Sequence, residues 1–132
     1  MSRIDHIGIA TEDIEQASKF WKLIGMKPGE DEINLEQDVK IRMFYGNNEN
    51  GENTHSKVEL IEALSENSPI AKFISKRGEG IQQLAISVVD IDELIKNLIG
   101  KGVRMINKKS MEGAGGHKIA FVHPESTGGV LV

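Results

Sequence analysis

The sequence contains no cysteine, which removes disulfides, thiolate nucleophiles and sulfur-ligated metals together. Any metal centre must therefore be assembled from nitrogen and oxygen ligands. No apolar run approaches the roughly 18 residues that would span a bilayer, and the N-terminus has no basic-then-apolar signal segment. A soluble, cytoplasmic protein without a membrane partner is expected. Neither sign of charge dominates: 16 basic and 20 acidic residues give a net charge of −4. The basic residues are scattered, so the electrostatic footprint of a nucleic-acid binder is missing. What remains is an ordinary globular composition, 39% apolar and 27% charged over 132 residues, enough for one domain with its own core.

The chain repeats itself. "RIDHIGIATEDIEQA" near the start and "GIQQLAISVVDIDEL" from Gly80 to Leu94 superpose at an offset of 77 residues, with His6 on Gln83, Ile7 on Leu84, Ile9 on Ile86, Asp13 on Asp90 and Ile14 on Ile91. Each copy is an alternating strand followed by a capping box, in which an Asp accepts from the third helical N–H and a Gln or Glu reaches back. After the caps, Ile14, Ala17, Trp21 and Ile24 fall on one helical face, as do Ile91, Leu94, Ile95 and Leu98. Both helices end at a glycine, Gly25 and Gly102, suited to a left-handed residue.

Farther on, "VKIRMFY" (39–45) corresponds to "HKIAFVH" (117–123), and "KVELIEAL" (57–64) to the terminal "GGVLV". The pattern predicts an α+β fold of two tandem βαβββ units paired about a pseudo-twofold axis: one domain over 1–132, with units of about 1–66 and 80–132 and a connector helix over 67–79 opened by Pro69. The polar cluster 46–56 reads as a mobile hairpin tip, with His55 a solvated residue in it. "EGAGGHK" (112–118) is glycine-rich but lacks the strand-to-helix setting of a phosphate loop. Its backbone amides could hold a carboxylate.

Strand period puts His6, Gly8 and Ala10 on one face of the first strand. Alone, His6 would read as a hydrogen-bonded core residue. The repeat carries Gln83 to the mirrored position, and Glu59 is the inward-facing candidate on the last strand of the first unit. Imidazole, carboxylate and amide oxygen converging on one point are reasonable ligands for Co²⁺, Mn²⁺, Ni²⁺ or Zn²⁺. Symmetry would put a fourth ligand one residue past Val132.

Several stretches, "IDHIGIA", "SPIAKFISKRGEGI", "GVRMIN" and above all "GAGGHKIAFVHPESTGGVLV", resemble the methylmalonyl-CoA epimerases of the vicinal oxygen chelate superfamily. The resemblance covers nearly the whole chain and implies a homodimer that epimerises an acyl-CoA, 2-methylmalonyl-CoA, between its 2R and 2S forms with a divalent metal ion. It supports His6 and Glu59 as metal ligands and implies that Ala114, Gly115 and Gly116 help to hold the substrate carboxylate. Three departures stand out. Gln82 and Gln83 replace the histidines of the family's "GIHHIAF", although a glutamine ligand is similar to what some glyoxalase I enzymes use. A glutamate that in relatives follows "GGVL" after one residue, acting as ligand and base, has no counterpart, and the shortness of the last strand suggests that it is truncated. The position two residues after the valine of "EQDV", where some epimerases carry a second base, is Ile41. Lys118 and Ser126 read equally well as surface or capping residues. Two other readings remain at this level: a glyoxalase-type lyase or isomerase, and a metal-free small-molecule-binding protein of the same fold.

Overall fold

Alternating apolar residues produce strand β1 (Ser2–Ala10), and the Asp13 carboxylate, accepting from the Glu15 and Gln16 amides, starts helix α1 (Ile14–Leu23). In the computed structural model, which describes residues 1–132, there follow two short strands, β2 (Lys27–Pro28) and β3 (Glu32–Asn34), and two long ones, β4 (Val39–Asn47) and β5 (Asn53–Ala63). Helix α2 (Pro69–Arg77) leads to β6 (Gly80–Val88), α3 (Ile91–Gly100) and the small hairpin β7 (Met111–Glu112) and β8 (Lys118–Ile119). The main sheet has the order β2-β4-β5-β1-β6, with β3 on the same edge of β4 as β2. β1 runs parallel to β5 and antiparallel to β6, so the two repeated strands lie side by side. The fold is mixed α+β, as the sequence pattern predicts.

Each face of the sheet carries its own apolar cluster. On one, Ile14, Phe44 and Leu60 are buried with Ile9, Ala17, Trp21, Met26 and Val58 around them. On the other, Ala10, Val39, Ile41, Ile61 and Ile70 pack with Ala63, Phe73, Ile74 and Ala114. Each fully buried large side chain contributes about 1.5–3 kcal/mol through water released from its surface. Helix α2 closes this second face: Ser68 caps it, accepting from the Ile70 amide, and Pro69 occupies its first turn.

The helix ends agree with the sequence, since Gly25 and Gly102 both adopt positive φ (+95° and +85°). The first capping box is only half formed, because the Asp13 amide donates to the Thr11 hydroxyl and the Ile14 amide to Glu62 rather than to a helix side chain reaching back. Ile24 is 54% exposed and leaves the predicted apolar face because it is the cap residue after the last helical turn. On α3, Ile95 is buried, with Ile91, Leu94 and Leu98 half-buried. The polar hairpin tip is shorter than predicted. Pairing of β4 and β5 continues to Asn47 and Asn53, Asn48 holds the turn through the Asn50 and Glu52 amides, and His55 lies exposed on β5.

The second half is less regular than its counterpart. Only Lys118–Ile119 of 117–123 is a strand, and Val122 reaches Met105 through an isolated bridge. The terminal segment forms no ladder. Gly128 and Gly129 both have positive φ, a conformation that does not continue a strand. The segment still lies beside β6, where the Leu84 amide donates to the Leu131 carbonyl and the Val122 amide to that of Val132 (3.0 and 2.7 Å). No helix is long and apolar enough to cross a membrane.

Candidate functional site

At one level of the sheet, three neighbouring strands present Glu59 on β5, Gly8 on β1 and Gln83 on β6. Because Gly8 has no side chain, its neighbours meet above it: the Gln83 amide nitrogen donates to Glu59 Oε1 at 3.2 Å. A Cβ at Gly8 would lie 2.5 Å from Gln83 Cγ and 2.9 Å from Nε2. His6 emerges on the same face two residues earlier, its Nε2 3.4 Å from Glu59 Oε2. Register shifts in the β1/β6 pairing fall between Ile4 and His6 and between Gly8 and Ile9. Such irregularities re-aim side chains beside sites. The three residues singled out from the sequence therefore converge.

The electrostatics of the cluster run through five side chains. Lys57 donates to Asp5 at 3.0 Å, and Asp5 Oδ2 is 2.9 Å from His6 Nδ1. Burial pushes the Asp5 carboxyl up, but hydrogen bonds from His6 and Lys57 outweigh it and hold the group below the usual aspartate range. Glu59 is only 4% exposed. Burial pushes its carboxyl above the ordinary value; His6 opposes this, while the charges of Asp5 and Glu32 add to it.

This donor set suits a cation. An imidazole whose Nδ1 is engaged by a carboxylate is fixed in orientation and presents Nε2 outward, the arrangement common to metal-binding histidines. Here Nε2 faces a carboxylate oxygen across 3.4 Å, a span that two ligands of one ion, each about 2.0–2.2 Å from it, bridge readily. Gln83 can turn its amide oxygen to the same point. His6 and Glu59 belong to no group of three or more His, Cys, Asp or Glu able to hold a metal, and Gln83 is the further side-chain donor that the sheet places beside them.

Over the rim of this face, residues Ala114–Gly116 form a tight turn in which Gly115 and Gly116 both take positive φ (+68° and +74°). Ala114 packs on the cluster containing Ala10, Ile41 and Ile61, and the Gly115 amide donates to Glu32 Oε2 at 2.8 Å. Ile41, the position weighed above for a second base, is buried in that cluster. Lys118 pairs with Asp92, and the Ser126 hydroxyl accepts from the Arg104 amide. Asp5 and Glu32 escaped the sequence reading, which placed Gly8 on the His6 face without its role as the gap that Gln83 crosses. The only sequence signal for Asp5 was its place beside His6; the roles of Gly8 and Glu32 emerge from pairing register, which the sequence does not print.

Residues 5–121 match the family model described as glyoxalase/bleomycin resistance protein/dioxygenase superfamily. A solved hypothetical protein from Bacillus halodurans C-125 is 44% identical and superposes with a TM-score of 0.90 over 98% of this chain and 90% of that one. A Streptomyces coelicolor methylmalonyl-CoA epimerase variant in complex with 2-nitronate-propionyl-CoA is 34% identical, with a TM-score of 0.88 over 98% of this chain and 90% of that one. The mitochondrial methylmalonyl-CoA epimerase of Bos taurus is 31% identical over all of this chain and 73% of its own length. The chain thus belongs to the glyoxalase/bleomycin resistance/dioxygenase superfamily and has the vicinal oxygen chelate fold of its methylmalonyl-CoA epimerases.

Proposed function

We propose that the protein is a methylmalonyl-CoA epimerase that depends on a divalent cation, Co²⁺, Mn²⁺, Ni²⁺ or Zn²⁺, held by His6, Glu59 and Gln83. The observation that carries this reading is the meeting of those side chains above Gly8, in a chain similar along its whole length to named epimerases. The proposal extends to a cytoplasmic homodimer.

The hydrogen to be moved lies between a thioester and a carboxylate, and a bound divalent cation would supply Lewis-acid stabilisation of the charge released when it leaves. The chain's own residues supply position. Asp5 fixes the His6 ring, Lys57 fixes Asp5, and Gly8 leaves room for Gln83 to reach Glu59. The Ala114–Gly116 amides are suited to the substrate carboxylate. Inversion then requires proton transfer on both faces of the carbon, which typically contributes about 10²–10⁴-fold per positioned group.

The test is to incubate the protein with each epimer in D₂O with Co²⁺ and after chelation. Deuterium incorporation and inversion should both occur with Co²⁺ and fall by about 100-fold or more on chelation. Neither reaction in the metal-loaded protein would overturn the proposal, and turnover of the methylglyoxal–glutathione adduct in its place would assign a glyoxalase-type activity.

A further inference from the structure

We propose that Glu32 is the proton-transfer group for one face of the reacting carbon, occupying from β3 the role that Ile41 cannot fill. The inference rests on the epimerase reading. Glu32 is paired directly with Ile41 across β3 and β4, and Ile41 with Ile61 across β4 and β5. Directly paired residues project on the same side of a sheet, and alternate residues along a strand share a face. Glu32 therefore stands on the face that carries Glu59, His6 and Gln83. Its charge is felt at Glu59, and its side chain stays exposed to solvent.

The second observation is its partner. Glu32 Oε2 accepts the Gly115 amide at 2.8 Å, one of the amides assigned to the substrate carboxylate. In a 2-methylmalonyl thioester the carbon that loses its proton is bonded directly to that carboxylate. A side chain that reaches the amide reaches the neighbourhood of the carbon. When the substrate carboxylate takes the Gly115 N–H, Glu32 is released with both oxygens free to accept.

The proton passes from the carbon to a Glu32 oxygen, and the electron pair of the C–H bond enters the enolate of the thioester carbonyl. The resulting carboxylic acid exchanges its proton with solvent or returns it to the same face. Return on the opposite face by a second group completes the inversion.

Glu32→Gln and Glu32→Ala separate this role from simple anchoring, because glutamine keeps an oxygen for the Gly115 amide and alanine does not. In the Co²⁺-loaded protein in D₂O, Glu32→Gln should slow exchange of one epimer by about 10²–10⁴-fold and slow inversion equally. Exchange of the other epimer should stay within a few-fold of the unmodified chain. If Glu32→Gln exchanges and inverts both epimers normally, or slows exchange of both equally, Glu32 is not a proton-transfer group. Absence of exchange for either epimer in the unmodified protein would sink the epimerase reading instead.

Discussion

Replacing Gly8 by alanine tests whether the site depends on an empty place in β1. Gly8 is not among the glycines with positive φ, so alanine suits its backbone, and reduced freedom of the unfolded chain should by itself stabilise by about 0.4–1 kcal/mol. The added Cβ would lie 2.5 Å from Gln83 Cγ, more than 1 Å inside an ordinary carbon contact of about 3.5–4.0 Å. The Gln83 side chain must turn away. It then loses its 3.2 Å hydrogen bond to Glu59, worth about 1.5–3 kcal/mol where the acceptor is charged. An off-rotamer adjustment adds roughly 0.5–1.5 kcal/mol. The gains and losses combine to a destabilisation of about 1–4 kcal/mol.

Chemical denaturation of Gly8→Ala, Gln83→Ala and the double variant measures this directly. With Gln83 shortened, the overlap disappears, and alanine at position 8 should become neutral or mildly stabilising. The cycle should therefore give a coupling of about 1 kcal/mol or more, and Co²⁺ affinity should fall in each single variant. Additive effects, or Co²⁺ binding to Gly8→Ala at full strength, would refute the reasoning.

Glu59→Gln addresses the buried carboxyl. Its folded-state value lies above the ordinary glutamate value of 4.5, so the folded chain holds this proton more tightly than the unfolded one. The associated stability is present below about pH 4.5 and is lost as pH rises through the folded value. In chelator, the variant should match the unmodified chain near pH 4 and gain on it toward neutrality, while binding Co²⁺ more weakly; equal pH profiles in thermal melts would contradict this. Arg42 joins β4 to α1 and the chain before β3, bonding Asp31 through Nε and Nη2, Glu15 through Nη2 and the buried Ser18 through Nη1. Arg42→Met should cost about 1–3 kcal/mol. Hydrogen bonding by Arg42 outweighs partial burial and holds Asp31 below 3.8, so its contribution is present above pH 3.8 and disappears as pH falls through the folded value. The variant's deficit should accordingly shrink in strong acid, and a deficit unchanged to pH 2 would show that packing, not the ion pairs, carries it.

The repeat offset, the cap aspartates and the terminating glycines were legible because each is written in local sequence. So were His6, Glu59 and Gln83, whose positions follow from strand period and pseudo-symmetry. The shorter hairpin tip was not legible. Asn48 and Glu52 look like loop residues, yet the ladder on either side holds them in a five-residue turn. The irregular second half was hidden for the opposite reason: 117–123 and 128–132 have strand composition, but the left-handed pairs Gly115–Gly116 and Gly128–Gly129 stand directly before them or within them. Glu32 was invisible because its significance lies in its pairing with Ile41 and its contact with Gly115, residues 9 and 83 positions away.

The pairing of β1 with β6 explains why the duplicated positions approach one another. Ile7 lies opposite Leu84, its own counterpart at the 77-residue offset. An antiparallel pair that matches a residue with its equivalent has its local twofold through that pair. The same rotation exchanges His6 with Gln83 and Gly8 with Ala85, so His6 faces Ala85 while Gln83 faces Gly8. Each long polar side chain thus has a small residue across from it and can lean along the sheet. The symmetry is broken where the load differs: Gln83 passes over Gly8 to reach a buried carboxylate on β5, and that path leaves no room for a methyl group. On the other side Ala85 keeps its Cβ, because His6 turns toward Glu59 rather than across β6. Duplication supplies two equivalent positions beside the axis, and the one glycine determines which strand the side chains converge on.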